Sequence, residues 1–236
     1  RFHNIRLRWR WRSLDDGIPG HQLVEIAGLI RGARKSGQSL SYEDAVRQSA
    51  LVDIGKPARG SAGAELWHMT KGLSLVAPIN NENEKRLLIG RSLSLPGLAD
   101  GGAAARRHPV VHIVHPDDAL PFASLSWPGM VGVLSGINRE GIAVFVHPLR
   151  TKEVRITRRA QPSPLLARQL LEHANSLSEA VAILKEAAPL GSAVYVVVDG
   201  KSGEWAAIER SPSLMNVRKA PSEHVVVDTF EGKDFS

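Results

Sequence analysis

The order in which extended and helical patterns follow one another constrains this 236-residue chain most. Apolar stretches of strand length recur at Leu73 to Ala77, Arg86 to Leu93, Val110 to His115, Val131 to Leu134 and Ile142 to Val146. Two helical patterns come next, Pro164 to Ala174 and Leu177 to Ala187, the second introduced by Ser176 or Ser178 as N-cap. Strands return in "SAVYVVVD", "EWAAIER", "LMNVRK" and "HVVVD", separated by turns such as "DGKSGE". Strands, a helix pair and strands again predict a layered α+β fold with two sheets and helices outside.

The first third is different. Leu23, Ile26, Leu29 and Ile30 fall on one helical face within Gln22 to Ser36, and Gly37 supplies a stop. A second helix starts at Ser41, whose hydroxyl suits an N-cap with Asp44 three residues on. The Gly/Ala/Ser-rich "GKPARGSAGAE" then reads as a linker, which divides residues 1–71 from a core over 72–236, the two expected to pack as one unit. No repeat interrupts this plan.

Composition enters mainly by exclusion. With 43% hydrophobic and 23% charged residues the chain can bury a core, and no run approaches the roughly 20 uncharged residues of a membrane helix. A soluble protein of unassigned compartment is expected, without a signal peptide, and the start at Arg1 suggests processing or trimming. There is no cysteine, so disulfides, thiolate metal sites and a cysteine nucleophile are excluded. The net charge of +6 is concentrated in "RFHNIRLRWRWR", where Ile5, Leu7, Trp9 and Trp11 alternate with Arg6, Arg8, Arg10 and Arg12. That alternation predicts an edge strand with a solvated cationic face, and the other reading is a tether to an anionic surface. No specific nucleic-acid partner is expected.

His108, His112 and His115 with Asp117 and Asp118 invite a metal reading, but on a strand His115 points away from the other two. Exposed or satisfied histidines are the expectation. There is no Walker loop, dinucleotide glycine pattern or G-x-S-x-G elbow, so neither a cofactor nor a metal is predicted.

Five ordered segments carry a resemblance: "EIAGLIRGARKSG", "GLSLVAP" leading to "LLIGRSLSLPG", "WPGMVGVLSGINREGIAVFVHP", "LSEAVAILKEA" and "AVYVVVDGKSGEWAAIERSPSLMNVRK". From about Gln22 to Asp228 the chain resembles the acyl-coenzyme A:6-aminopenicillanic acid acyltransferase family, the C45-type branch of linear-amide hydrolases related to choloylglycine hydrolase. The resemblance implies a four-layer αββα sandwich of the N-terminal nucleophile hydrolase type. It also implies autoproteolytic removal of a helical pro-segment, exposing a cysteine whose thiol attacks an amide carbonyl while its own α-amine manages the proton.

Set against that pattern, the cysteine position falls on Gly72, with Ser74 matching a family serine. In "GRSLSLPG" Arg91 is retained, while Ser92 and Ser94 replace an asparagine and an aspartate. Asn138 matches the family but suits a tight turn, His147 falls where an oxyanion-holding asparagine is usual, and Asp228 with Thr229 stands at a late threonine-asparagine motif. Without its aspartate, Arg91 is expected to reach solvent, a substitute carboxylate or an anionic ligand.

Three functional readings follow. The first is a family member that has lost self-processing and cysteine-dependent chemistry while still able to bind a small amide or acyl ligand. The second is an active amidase or acyltransferase using Ser74 as substitute nucleophile, and the third a silent domain tethered through Arg6, Arg8, Arg10 and Arg12.

Overall fold

In the computed structural model, which describes residues 14–54, 71–81, 84–94, 109–149, 159–219 and 224–227, the strands form two antiparallel sheets. The smaller has the order β10-β1-β2, from β1 (Lys71–Asn81), β2 (Glu84–Ser94) and β10 (His224–Val227). The larger runs in sequence order through β3 (Val110–Val114), β4 (Phe122–Ser126), β5 (Ser135–Asn138), β6 (Ile142–Leu149), β7 (Ser192–Asp199), β8 (Trp205–Arg210) and β9 (Met215–Lys219).

β7 is apolar on both sides because both are covered, the pattern of a central strand. Ala193, Tyr195 and Val197 face the helical layer, packing with Leu166, Leu170 and Leu171 of α4 (Ser163–His173) and Leu184 of α5 (Leu177–Glu186). Val194, Val196 and Val198 face the small sheet, packing with Val76, Leu87 and Ile89. Ser176 caps α5 by accepting from the Glu179 N–H at 3.2 Å.

The amino-terminal helices α1 (Gly20–Lys35), α2 (Tyr42–Ser49) and α3 (Leu51–Ile54) join the same helical side, where Leu14, Ile26 and Ile30 cluster with Val131, Leu165 and Leu190. α1 ends as its composition dictates: Gly37 takes φ 77°, and Gln38 N–H reaches back to the Ala33 carbonyl at 2.9 Å. Ser41 accepts from Asp44 N–H at 3.1 Å, the expected cap. A part-buried polar clamp adds to the apolar contact: buried Arg168 bonds buried Glu172 at 2.8 Å and the more exposed Glu25 at 2.6 Å, and Glu172 also meets His21 at 2.9 Å. At the other end of α4, the Asp53 carboxylate accepts Ser163 N–H at 2.7 Å and its hydroxyl at 2.5 Å.

Two strand expectations change. Residues Val131 to Leu134 are not a strand; they form an irregular, buried connection against α4, with Val133 N–H on the Pro164 carbonyl at 2.8 Å. A Cβ on Gly132 would stand 2.6 Å from Pro164 Cβ, so glycine permits that approach. The short β4 was not foreseen at all, and pairs β3 to β5.

Candidate active site between the two sheets

The family-pattern positions converge at one end of the interface between the sheets. Gly72 and Ser74 lie on β1, Arg91 pairs directly across from Ser74 on β2, and His147 comes from β6. Their parity is decisive: Ser74 and Val76 are fully buried toward the large sheet, while Leu73 is 40% exposed on the outer face.

Ser74 Oγ and His147 Nε2 are 2.7 Å apart, and both side chains are buried. The imidazole lies against Gly72 so closely that a Cβ there would stand 2.3 Å from Nδ1 and 2.9 Å from Cε1. The ring therefore fills the space in which a side chain at position 72 would begin. Gly72 and His147, independent departures in the sequence, are one physical arrangement: each is tolerated because of the other. Among the described residues His147 Nδ1 is buried with no hydrogen-bond partner. Burial, and then the neighbouring Arg91 charge, push the His147 pKa down to about 3, so the ring is neutral over the physiological range.

Among the described residues Arg91 is held by backbone carbonyls and a hydroxyl, not by a substitute carboxylate, and it keeps part of its surface exposed, which was one of the expected alternatives. Its guanidinium donates to the backbone carbonyls of Leu134 and Val146, and to Ser135 Oγ at 2.5 Å, and stands 5.9 Å from the centre of the Phe145 ring. Burial lowers its pKa to about 10, which leaves it charged at neutral pH. Carbonyl dipoles stand where the sequence pattern called for an acid.

The remaining expected residues separate from this cluster. Ser92 is exposed and pairs with Leu73 of the outer face, and Ser94, paired with Lys71, belongs by register to that same alternate set, so neither position is placed opposite Arg91. Asn138 lies on the helix-facing side of the large sheet, across from the cluster. It donates to the Leu171 and Ala174 carbonyls at 3.1 and 2.8 Å and accepts from Glu140 and Ile142 N–H at 3.0 and 2.9 Å. It ties a turn to α4 and has no capacity left for a reacting group. Asp228 and Thr229 lie outside the described residues, as does His108. Among the described residues no group of three acids or histidines is placed to hold a metal.

The family model for acyl-coenzyme A:6-aminopenicillanic acid acyl-transferase matches residues 108–229, just over half of the chain. The chain belongs to that family. An uncharacterized protein of Archaeoglobus fulgidus is 28% identical over 213 residues, covering 85% of this chain and 34% of its own length. The chain thus spans about a third of that curated relative. Among solved structures, the Caenorhabditis elegans N-acylethanolamine-hydrolyzing acid amidase ortholog superposes with a TM-score of 0.52 at 20% identity, over 65% of this chain and 68% of the other. A mutant conjugated bile acid hydrolase from Clostridium perfringens is more distant, with a TM-score of 0.40 at 10% identity over 63% of this chain and 51% of its own. The acyl-transferase family member described here has the αββα fold of N-terminal nucleophile hydrolases, and its described residues supply both sheets and the helical layer on the larger one.

Sequence reasoning named all four clustered residues, Ser74 and Arg91 as matches to the family pattern and Gly72 and His147 as departures from it. It missed Ser135 and the carbonyls that hold Arg91, since backbone groups leave no trace in residue identity.

Proposed function

We propose that this chain is an amide hydrolase/acyltransferase family member without self-cleavage or cysteine-type amide chemistry, its site closed by His147 and available at most for non-covalent contact with an amide or acyl ligand. The observation that carries this reading is the imidazole standing 2.3 Å from where a Cβ of residue 72 would be. A nucleophile needs room for its side chain and for an approaching carbonyl at about 3 Å, and neither is available beside a buried ring.

The 2.7 Å contact between Ser74 and His147 favours a second reading, in which Ser74 attacks with His147 as base. Three features weigh against it. An effective base has a pKa near the working pH, whereas that of His147 is about 3. Accepting the serine proton at Nε2 requires a proton on Nδ1, normally fixed by an acceptor, and Nδ1 has none among the described residues. Ser74 itself has no exposed surface.

Incubation with an activated acyl ester, followed by intact mass measurement, separates the two. We expect no acyl adduct; an adduct that disappears in Ser74→Ala establishes the serine mechanism instead.

A further inference from the structure

The amino-terminal helices make polar contact with the core at two places, and the two are built differently. At one, α1 lies in the clamp that His21 and Glu25 form with Arg168 and Glu172. At the other, the four-residue α3 presents one acidic side chain, Asp53, to the start of α4. Pro162, the residue before α4, supplies no side-chain cap. The Asp53 carboxyl takes that place from a different helix, accepting the Ser163 N–H at 2.7 Å and its hydroxyl at 2.5 Å.

The seat is shaped to this side chain. A Cβ on Gly191 would stand 2.7 Å from Asp53 Oδ1, 2.9 Å from its Cβ and 3.2 Å from its Cα, so glycine ahead of β7 leaves the room that Asp53 occupies. Ser163, Leu190 and Tyr195 are all fully buried beside it.

Among the described residues no cation answers this acid. On α4, Arg168 is engaged with Glu25 and Glu172. β7 contributes Tyr195, whose hydroxyl is kept protonated by burial and then by the Asp53 charge. Arg210 of β8 donates to the carbonyls of Leu184, Ala187, Ser211 and Leu214. On β6, which also packs against α3, His147 points to the opposite face, and α2 carries Glu43 and Asp44 exposed in its first turn. Burial therefore dominates at Asp53, raising its pKa to about 7 against the two Ser163 bonds.

We propose that Asp53 is a proton-operated latch: α3 sits tightly on the core while this carboxyl carries a proton and loosens when the proton is lost, the α1 clamp holding throughout. Hydrogen bonding is satisfied in either state, because a protonated carboxyl still accepts the Ser163 N–H and can donate its own O–H to Ser163 Oγ. What differs is the cost of a charge in a closed apolar seat. The docked pKa lies above the roughly 4 of a solvated carboxyl, so the contribution to docking is complete below about pH 4 and is lost as the pH rises through 7. The latch backs the site from the helix side, since α3 packs against the strand that carries His147 and the Val146 carbonyl on Arg91.

Amide hydrogen exchange on the full chain, corrected for the intrinsic dependence of exchange on pH, tests this. Protection of residues 50–54 and of the Ser163 amide should fall at least tenfold between pH 5 and 8, while that of residues 22–35 stays constant. Asp53→Asn keeps the shape, cannot ionise and should abolish the fall. Ser163→Ala removes one bond that opposes burial, so the fall should persist with its midpoint at higher pH; this variant decides the matter if Asp53→Asn does not fold. Flat protection in the unaltered chain, a fall that α1 shares, a fall that survives in Asp53→Asn, or a midpoint not raised by Ser163→Ala overturns the proposal.

Discussion

The two faces of the seven-stranded sheet hold their main buried polar residues with different partners. On the helix side Asn138 makes four hydrogen bonds, and the Arg168 guanidinium meets two carboxylates and the Val131 carbonyl. On the small-sheet side, His147 Nδ1 and Arg91 Nε are buried with no partner among the described residues, and both groups have lowered pKa values. An unsatisfied buried group costs about 1–3 kcal/mol, and among the described residues the helix side carries some as well, at Gln22 Oε1 and Gln169 Nε2. On the small-sheet side the groups left short of partners, His147 Nδ1 and Arg91 Nε, belong to the cluster that stands between the two sheets.

Substitutions on each face sharpen this contrast, and the largest effect is expected on the helix side. Asn138→Ala strips partners from four buried backbone groups at once, and should lower the unfolding free energy by about 3 kcal/mol in denaturant titrations. On the other face, Gly72→Ala forces the imidazole to move and should cost about 2 kcal/mol. Adding His147→Ala should recover most of that loss. Additive losses in the double-mutant cycle would break the claim that the two positions form one arrangement.

The dependence on pH sets the faces against each other. His147, neutral when folded with a pKa of about 3, contributes stability that is present above about pH 6.5, its unfolded value, and is lost as the pH falls toward 3. Asp53, on the helix side, behaves oppositely. Burial raises its pKa to about 7, above the ordinary carboxylate value, so the stability linked to its neutral form is present below about pH 4 and is lost as the pH rises to 7. The two slopes oppose one another between about pH 4 and 6.5. Thermal melts across that range should show Asp53→Asn steepening the loss toward acid, and His147→Gln steepening the loss toward neutrality. The smallest effect belongs to an exposed helix start remote from both faces: Ser41→Ala should cost about 1 kcal/mol through the lost cap.

How much of this was legible in the sequence follows from what each feature is made of. The helix pair, the capping serines and the long apolar strands declare themselves through periodicity and short-range chemistry. Val131 to Leu134 misled because apolar residues buried in an irregular connection resemble a buried strand when only hydrophobicity is read. β4, "FASLS", was overlooked because one aromatic and one leucine among small residues give little alternation to detect. In the site, Arg91 and the empty cysteine position were readable as departures from a pattern. The fit of Gly72 under His147 was not, because it joins residues 75 apart in sequence and one of them has no side chain. Ser92 and Ser94 misled for the converse reason: they occupy the motif, but strand parity does not place them opposite the arginine.

The central claim is tested most directly by intact mass measurement of the freshly purified chain before and after prolonged incubation at neutral pH. A single species at 25.6 kDa throughout is the predicted result. Two complementary fragments, one beginning at Gly72 or Ser74, would contradict it and show that the site still cuts its own backbone.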